Sequence, residues 1–148
     1  MVLPRGHRAA LVADSAGQLS TVLLLQGDRL LDAYHLGDSY GGELHTDGTH
    51  NILVLEQGNT AECVQPLIVR RDRLFALSGF TKRCRMLGDN NTTFQRRSGV
   101  LDIVMHRHSM GVNELLTATV TWRWNGRTYL EGACTDESTG RPGGPACE

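Results

Sequence analysis

No run of apolar residues in this chain approaches the roughly 18 that a membrane-spanning helix needs, and membrane insertion is not expected. Nor does any window repeat apolar residues at i, i+3, i+4 and i+7 between helix caps, which predicts little or no helix. The cysteines show no C-x-x-C spacing, so a zinc ribbon or thioredoxin-type redox site is excluded. Ser109 lacks the G-x-S-x-G setting of a nucleophile elbow. The first ten residues, MVLPRGHRAA, carry charge and a proline where a secretory signal needs an apolar stretch, so no targeting peptide is visible.

What is present describes a globular protein. A length of 148 residues, with 40% apolar and 21% charged residues, fits a single domain over 1–148 with its own core. Turn signals recur every eight to twelve residues, at Ala16-Gly17, Gly27-Asp28, Asp47-Gly48, Gly88-Asp89, Ser98-Gly99 and Asn125-Gly126. Between them lie alternating or apolar runs such as QLSTVLLLQ, RLLDAYHL, NILVLE, VQPLIVR and VLDIVMH. That is the signature of an all-β domain of antiparallel sheets. The clearest unit is TATVTWRWNGRTYLEG. It places Ala118, Val120, Trp122 and Trp124 on one face and Thr117, Thr119, Thr121 and Arg123 on the other, with Asn125-Gly126 expected as a type I′ turn. A faint repeat, LLLQGDRLLD at 23–32 and LIVRRDRLFA at 67–76, has nearly the period of a propeller blade. A sandwich, an open barrel and a small propeller-like stack of hairpins all remain open.

Cys63, Cys84, Cys134 and Cys147 make an even set with three possible connectivities. The expected pairs are Cys63 with Cys84 and Cys134 with Cys147, the second tying down a flexible tail at about 132–148 that has little else to hold it. The alternative is four reduced, buried cysteines in a cytosolic protein. Disulfides imply an exported chain from which a signal has been removed.

Charge is split along the sequence. Residues 14–62 hold eight acids against Arg29 alone, whereas residues 70–97 hold eight basic residues against Asp72 and Asp89. Adjacent strands would gather Arg83, Arg85, Arg96 and Arg97 into a basic patch that steers an acidic partner; equally, the two blocks neutralise one another inside the fold. Phe75, Phe80 and Phe94 interleave with the basic run, but the pI of about 6.6 and the absence of a binding motif argue against nucleic acid.

The segment MHRHSMGVNELL, residues 105–116, concentrates chemistry-bearing side chains. His106 and His108 would share a strand face, as metal ligands do, but a third ligand is needed and His35, His45 and His50 lie in a Gly- and Asp-rich connection. Asp102, His106 and Ser109 are too close in sequence for a triad. Many acids are present, yet abundance is not a glycosidase motif, and Trp122 and Trp124 read as core more readily than as a sugar platform. No metal and no cofactor is expected, and the protein is not expected to be an enzyme. RHSMGVN then reads as a hairpin connection of about seven residues, longer than usual and suited to entering a cleft. His106, His108, Ser109, Met110, Gly111 and Asn113 are its candidate partner-binding residues.

The order NILVLEQGNTAEC, SGFTKRC, GVLDIVMH and a Trp-Asn-Gly hairpin, over residues 50–131, resembles small exported β-rich proteins of Gram-negative bacteria. Lys82-Arg83 stand before Cys84 where such proteins carry G-x-C. Among them are periplasmic immunity proteins against hydrolases delivered by type VI secretion, as in a toxin–antitoxin pair, and lysozyme inhibitors. The resemblance implies a periplasmic inhibitor or immunity protein that occludes the cleft of a cell-wall hydrolase as a monomer in a 1:1 complex. The alternatives are an envelope module binding a glycan or anion, and a hydrolase without a recognisable motif.

Overall fold

The computed structural model describes residues 1–147 except 40, 47–50, 59–60, 78, 81, 87–91 and 111–114, and describes only the backbone of 19, 20, 38, 85, 86, 109 and 110. Among the described residues thirteen strands follow in chain order: β1 (His7–Ala13), β2 (Leu19–Gln26), β3 (Arg29–Ser39), β4 (Gly41–Thr46), β5 (Asn51–Gln57), β6 (Ala61–Arg70), β7 (Arg73–Ala76), β8 (Arg83–Met86), β9 (Thr93–Arg97), β10 (Val100–Met110), β11 (Leu115–Trp124), β12 (Tyr129–Asp136) and β13 (Arg141–Pro142). Helix is confined, in the same residues, to 3-10 turns at Pro4–Gly6 and Pro145–Cys147. The protein is all-β, with three antiparallel sheets and none closed into a barrel among the described strands. Where composition pointed to one domain, contacts divide the chain into two compact units, Met1–Leu87 and Gly88–Glu148.

The first unit holds two meanders, β1-β2-β3 and β4-β5-β6-β7. β7 and β8 share one edge of β6, pairing with its last and first four residues respectively. Every residue from Asn51 to Glu56 is buried, which is why NILVLE reads as a continuous apolar run rather than an alternation. In β2 alternation decides the face: Val22 and Leu24 are fully buried, while Leu23 and Leu25 are half-buried. They join Ala9, Ile52, Val54, Leu67, Val69 and Leu74 in one core spanning both sheets. Burying each leucine contributes roughly 1.5–3 kcal/mol. Two polar contacts fix the sheets to each other: Asp32 Oδ2 accepts the Leu74 N–H at 2.7 Å, and His7 Nε2 meets Asp72 Oδ1 at 3.0 Å.

Both copies of the 44-residue repeat are two-residue hairpins, closed by the pairs Gln26–Arg29 and Arg70–Arg73. Their turns differ. Arg71 and Asp72 both take positive φ (48° and 61°), as a type I′ turn requires, whereas in the first copy only Gly27 does (58°).

The second unit is a single meander, β9 to β13 in spatial order. Leu101, Ile103 and Met105 of β10 and Ala118, Val120 and Trp122 of β11 are buried along one face. The Tyr129 hydroxyl donates to the Leu101 carbonyl at 3.1 Å, and its ring lies 5.2 Å from that of Trp124. Between Val120–Cys134 and Trp122–Glu131 the register shifts by one residue on β12. Gly132 permits this bulge, because a Cβ there would sit 2.8 Å from the Thr121 carbonyl oxygen.

Three expectations need correction. Asn125-Gly126 is not a type I′ pair: positive φ falls on Gly126 alone (94°). Asn125 instead uses its side-chain oxygen to accept the N–H groups of Arg127 and Thr128 at 2.8 and 2.9 Å, an Asx turn that competes successfully with the left-handed conformation. The tail is not held by a disulfide alone. β12 continues through Asp136, Asp136 pairs with Arg141 of β13, and Ala146 is buried with its turn packed on β10, β11 and β12. Lastly, the long connection is shorter than RHSMGVN. β10 pairs with β11 as far as Met110–Leu115, so four residues, 111–114, join them. Regular ladder pairing extends the strand over residues whose polarity had read as loop.

Candidate functional site

The β10–β11 hairpin outruns the strands on either side of it. Among the described residues, β9 pairs with β10 over Val100–Val104, and β12 pairs with β11 from Ala118 onward. Six residues of β10, Met105–Met110, therefore extend past the β9 ladder, about 20 Å of strand at roughly 3.4 Å per residue.

Alternation sorts this extension into two faces. His106 and His108 stand directly opposite Thr119 and Thr117, so one face carries a ladder of histidines and threonines. Thr117 Oγ1 lies 3.3 Å from His108 Nδ1, and Thr119 Oγ1 lies 3.4 Å from His106 Nδ1. Glu137, just beyond β12, completes the group. Its N–H donates to the Thr117 carbonyl at 2.9 Å, and its Oε1 receives the Thr119 hydroxyl at 2.5 Å and lies 2.7 Å from His106 Nδ1. The Thr119 hydroxyl foremost, then the hydrogen bond and charge of His106, hold the Glu137 carboxyl below its ordinary pKa.

The adjoining turn is built by a second carboxylate. Buried Asp136 accepts the Ser138 hydroxyl at 2.6 Å and the Ser138 and Thr139 N–H groups at 2.9 and 3.3 Å. These bonds lower its pKa, the Ser138 hydroxyl most. Between this turn and the start of β11 lies an open depression of about 310 Å³, lined by Leu115, Leu116, Thr117, Glu137 and Ser138.

Chemically, the cluster is a histidine oriented by a carboxylate, with the Thr119 hydroxyl committed to Glu137 and the Ser138 hydroxyl to Asp136. Asp102 faces elsewhere. It is buried and accepts two hydrogen bonds from Arg97, at 2.7 and 3.2 Å, with Arg123 at 4.0 Å. The carboxylate in turn raises the pKa of Arg97.

Of the expected partner-binding residues, the structure brings His106 and His108 onto one face. Ser109 and Met110 are strand residues whose side chains lie outside the described set, as do Gly111 and Asn113 entirely. Among the described residues no group of three His, Cys, Asp or Glu is arranged to hold a metal. His45 meets Glu43 at 3.1 Å and His35 meets Thr21 at 3.4 Å, while His50 lies outside the described residues.

The expected basic residues belong to different units. Arg83 and Arg85 stand on β8, with Arg83 5.8 Å from the centre of the Phe80 ring, and Arg96 and Arg97 stand on β9. Part of the charge split is settled internally, since Lys82 binds buried Glu56 at 2.8 Å. Trp122 is core, as its alternation implied, and Trp124 is half-buried.

Both disulfides form as expected, Cys63–Cys84 across β6 and β8 and Cys134–Cys147 from β12 to the terminal turn. Two disulfides fit an oxidising, exported location, and no helix among the described residues is long and apolar enough to cross a membrane. Sequence reasoning overlooked Glu137. The available signal was TDES at the end of a strand, an Asp with Ser two residues on that marks a side-chain-organised turn. No family model, curated protein or solved structure matches the chain.

Proposed function

We propose that the protein is a periplasmic inhibitor of immunity-protein type, which seats the β10–β11 hairpin in the active-site cleft of a cell-wall hydrolase. The observation that carries this reading is the hairpin itself, extended past both flanking strands and faced with histidine, threonine and glutamate. A narrow two-stranded ribbon fits a cleft that a flat sheet cannot enter, and its strands are already paired as far as Met110 and Leu115, so less conformational entropy is lost there on docking. The two disulfides support an oxidising compartment, and the resemblance of residues 50–131 to small exported β-rich proteins supports the same location. No cofactor enters the mechanism, which is occlusion by a protein partner.

The test is the rate of clearing of purified peptidoglycan by individual muramidases, amidases and endopeptidases, titrated with the protein. Inhibition of one class should reach its end point at one molecule per enzyme. Full activity of all three classes in the presence of a tenfold excess would overturn the reading.

A further inference from the structure

The two oxygens of Glu137 are unequally used. Oε1 takes both the Thr119 and the His106 contacts, while Oε2 meets no protein group among the described residues. The side chain is 39% exposed and stands at the depression beside Leu115 and Leu116. Leu115, 52% exposed, is with Leu130 one of two large apolar side chains left so open to solvent among the described residues of this unit.

We propose that this depression is a subsite for one cationic side chain, lysine or arginine, whose aliphatic stem lies along Leu115 and Leu116 while its charged head meets Glu137 Oε2. Three features match that chemistry. Lysine and arginine bury their stems on apolar surface while the head stays polar, so the paired leucines and the carboxylate address the two halves of one side chain. The carboxylate is held in place from behind by Thr119 and His106, leaving less side-chain entropy to lose when a cation arrives. Its lowered pKa keeps it charged through the neutral range, and a charge-assisted hydrogen bond to it is stronger than one to a neutral acceptor. An anion would be repelled. The volume of about 310 Å³ is at the small end of ligand sites and suits a side chain better than a whole segment.

Assigning the cation to a protein partner rests on the inhibitor reading above; the site itself is tested without any partner. The full chain, disulfides intact and labelled with nitrogen-15, is titrated with n-butylguanidinium, n-butylammonium and the neutral isostere n-butylurea while amide shifts are followed. The two cations should produce saturable shifts at Leu115, Leu116, Thr117, Glu137 and Ser138, and bind about two- to fivefold more tightly than n-butylurea, the range of one exposed ion pair. Glu137→Gln should reduce the cations to the level of the urea. Equal response of the parent protein to cation and urea, or no saturable response to either cation, would overturn the proposal even if Glu137→Gln fails to fold. Cation binding without inhibition of any hydrolase would leave the subsite standing and remove only the inhibitor reading.

Discussion

Removing the Cys134–Cys147 disulfide tests how the terminal segment is held. The bond closes a loop of 13 residues, and the chain-entropy relation gives about 9.7 cal/mol/K, or about 2.9 kcal/mol at 25 °C. Cys134 lies opposite Val120 on β11, and the turn bearing Cys147 buries Ala146, so the cross-link fastens the tail to the sheet that contains Trp122. Both tryptophans of the chain, Trp122 and Trp124, are in that sheet, which makes urea unfolding followed by tryptophan fluorescence a direct readout. The variant Cys134→Ala/Cys147→Ala avoids a stray thiol. With a slope of about 1.5 kcal/mol/M, its midpoint should fall by about 2 M. A fall of less than about 0.5 M would refute the reasoning, since the Asp136 turn and β13 would then hold the tail without a covalent constraint.

Three further outcomes follow from the same unit. Gly132→Ala should cost about 1–3 kcal/mol by thermal unfolding, as overpacking does, because its Cβ meets the Thr121 carbonyl at 2.8 Å; Gly126→Ala has open space around it and should cost only about 1–2 kcal/mol for its left-handed φ. Arg97→Ala should lower the melting temperature by leaving Asp102 with Arg123 alone at 4.0 Å, and the double variant Arg97→Ala/Asp102→Asn should recover part of that loss. Asp136 and Glu137 have pKa values lowered from 3.8 and 4.5, so their stabilisation is complete above those values and is lost as pH falls through the lower folded ones. Fluorescence-monitored stability between pH 2 and 6 should show this decline, and Asp136→Asn should flatten it.

The strands were legible wherever burial follows a simple period. VLDIVMH and TATVTWRW alternate because one face of their sheet is buried, and NILVLE is continuous because both faces are. Turn positions were legible at Gly27-Asp28 and Ser98-Gly99, whereas Arg71-Asp72 was visible only as the echo of an earlier hairpin, since arginine gives no signal for positive φ. The end of β10 was misread because His106, His108 and Ser109 are polar on a strand whose continuation depends on pairing with β11, a tertiary effect that local composition does not carry. Glu137 was missed for a related reason. Its partner His106 is 31 residues away, and only the register of three strands places the two side by side. The division into two units likewise lies in tertiary contacts rather than in a change of composition.

The most direct test of the inhibitor reading is the hairpin itself. Residues 108–117 are replaced so that Arg107 and Ala118 close β10 and β11 through a two-residue Asn-Gly turn, removing the outer part of the extension and leaving the ladders to β9 and β12 in place. Affinity for the hydrolase inhibited by the parent protein is measured by calorimetry, with thermal unfolding as the check on folding. The shortened protein should fold and lose at least 2 kcal/mol of binding, about thirtyfold, as expected when a central anchor is removed. A folded variant that binds the enzyme as tightly as the parent would contradict the account.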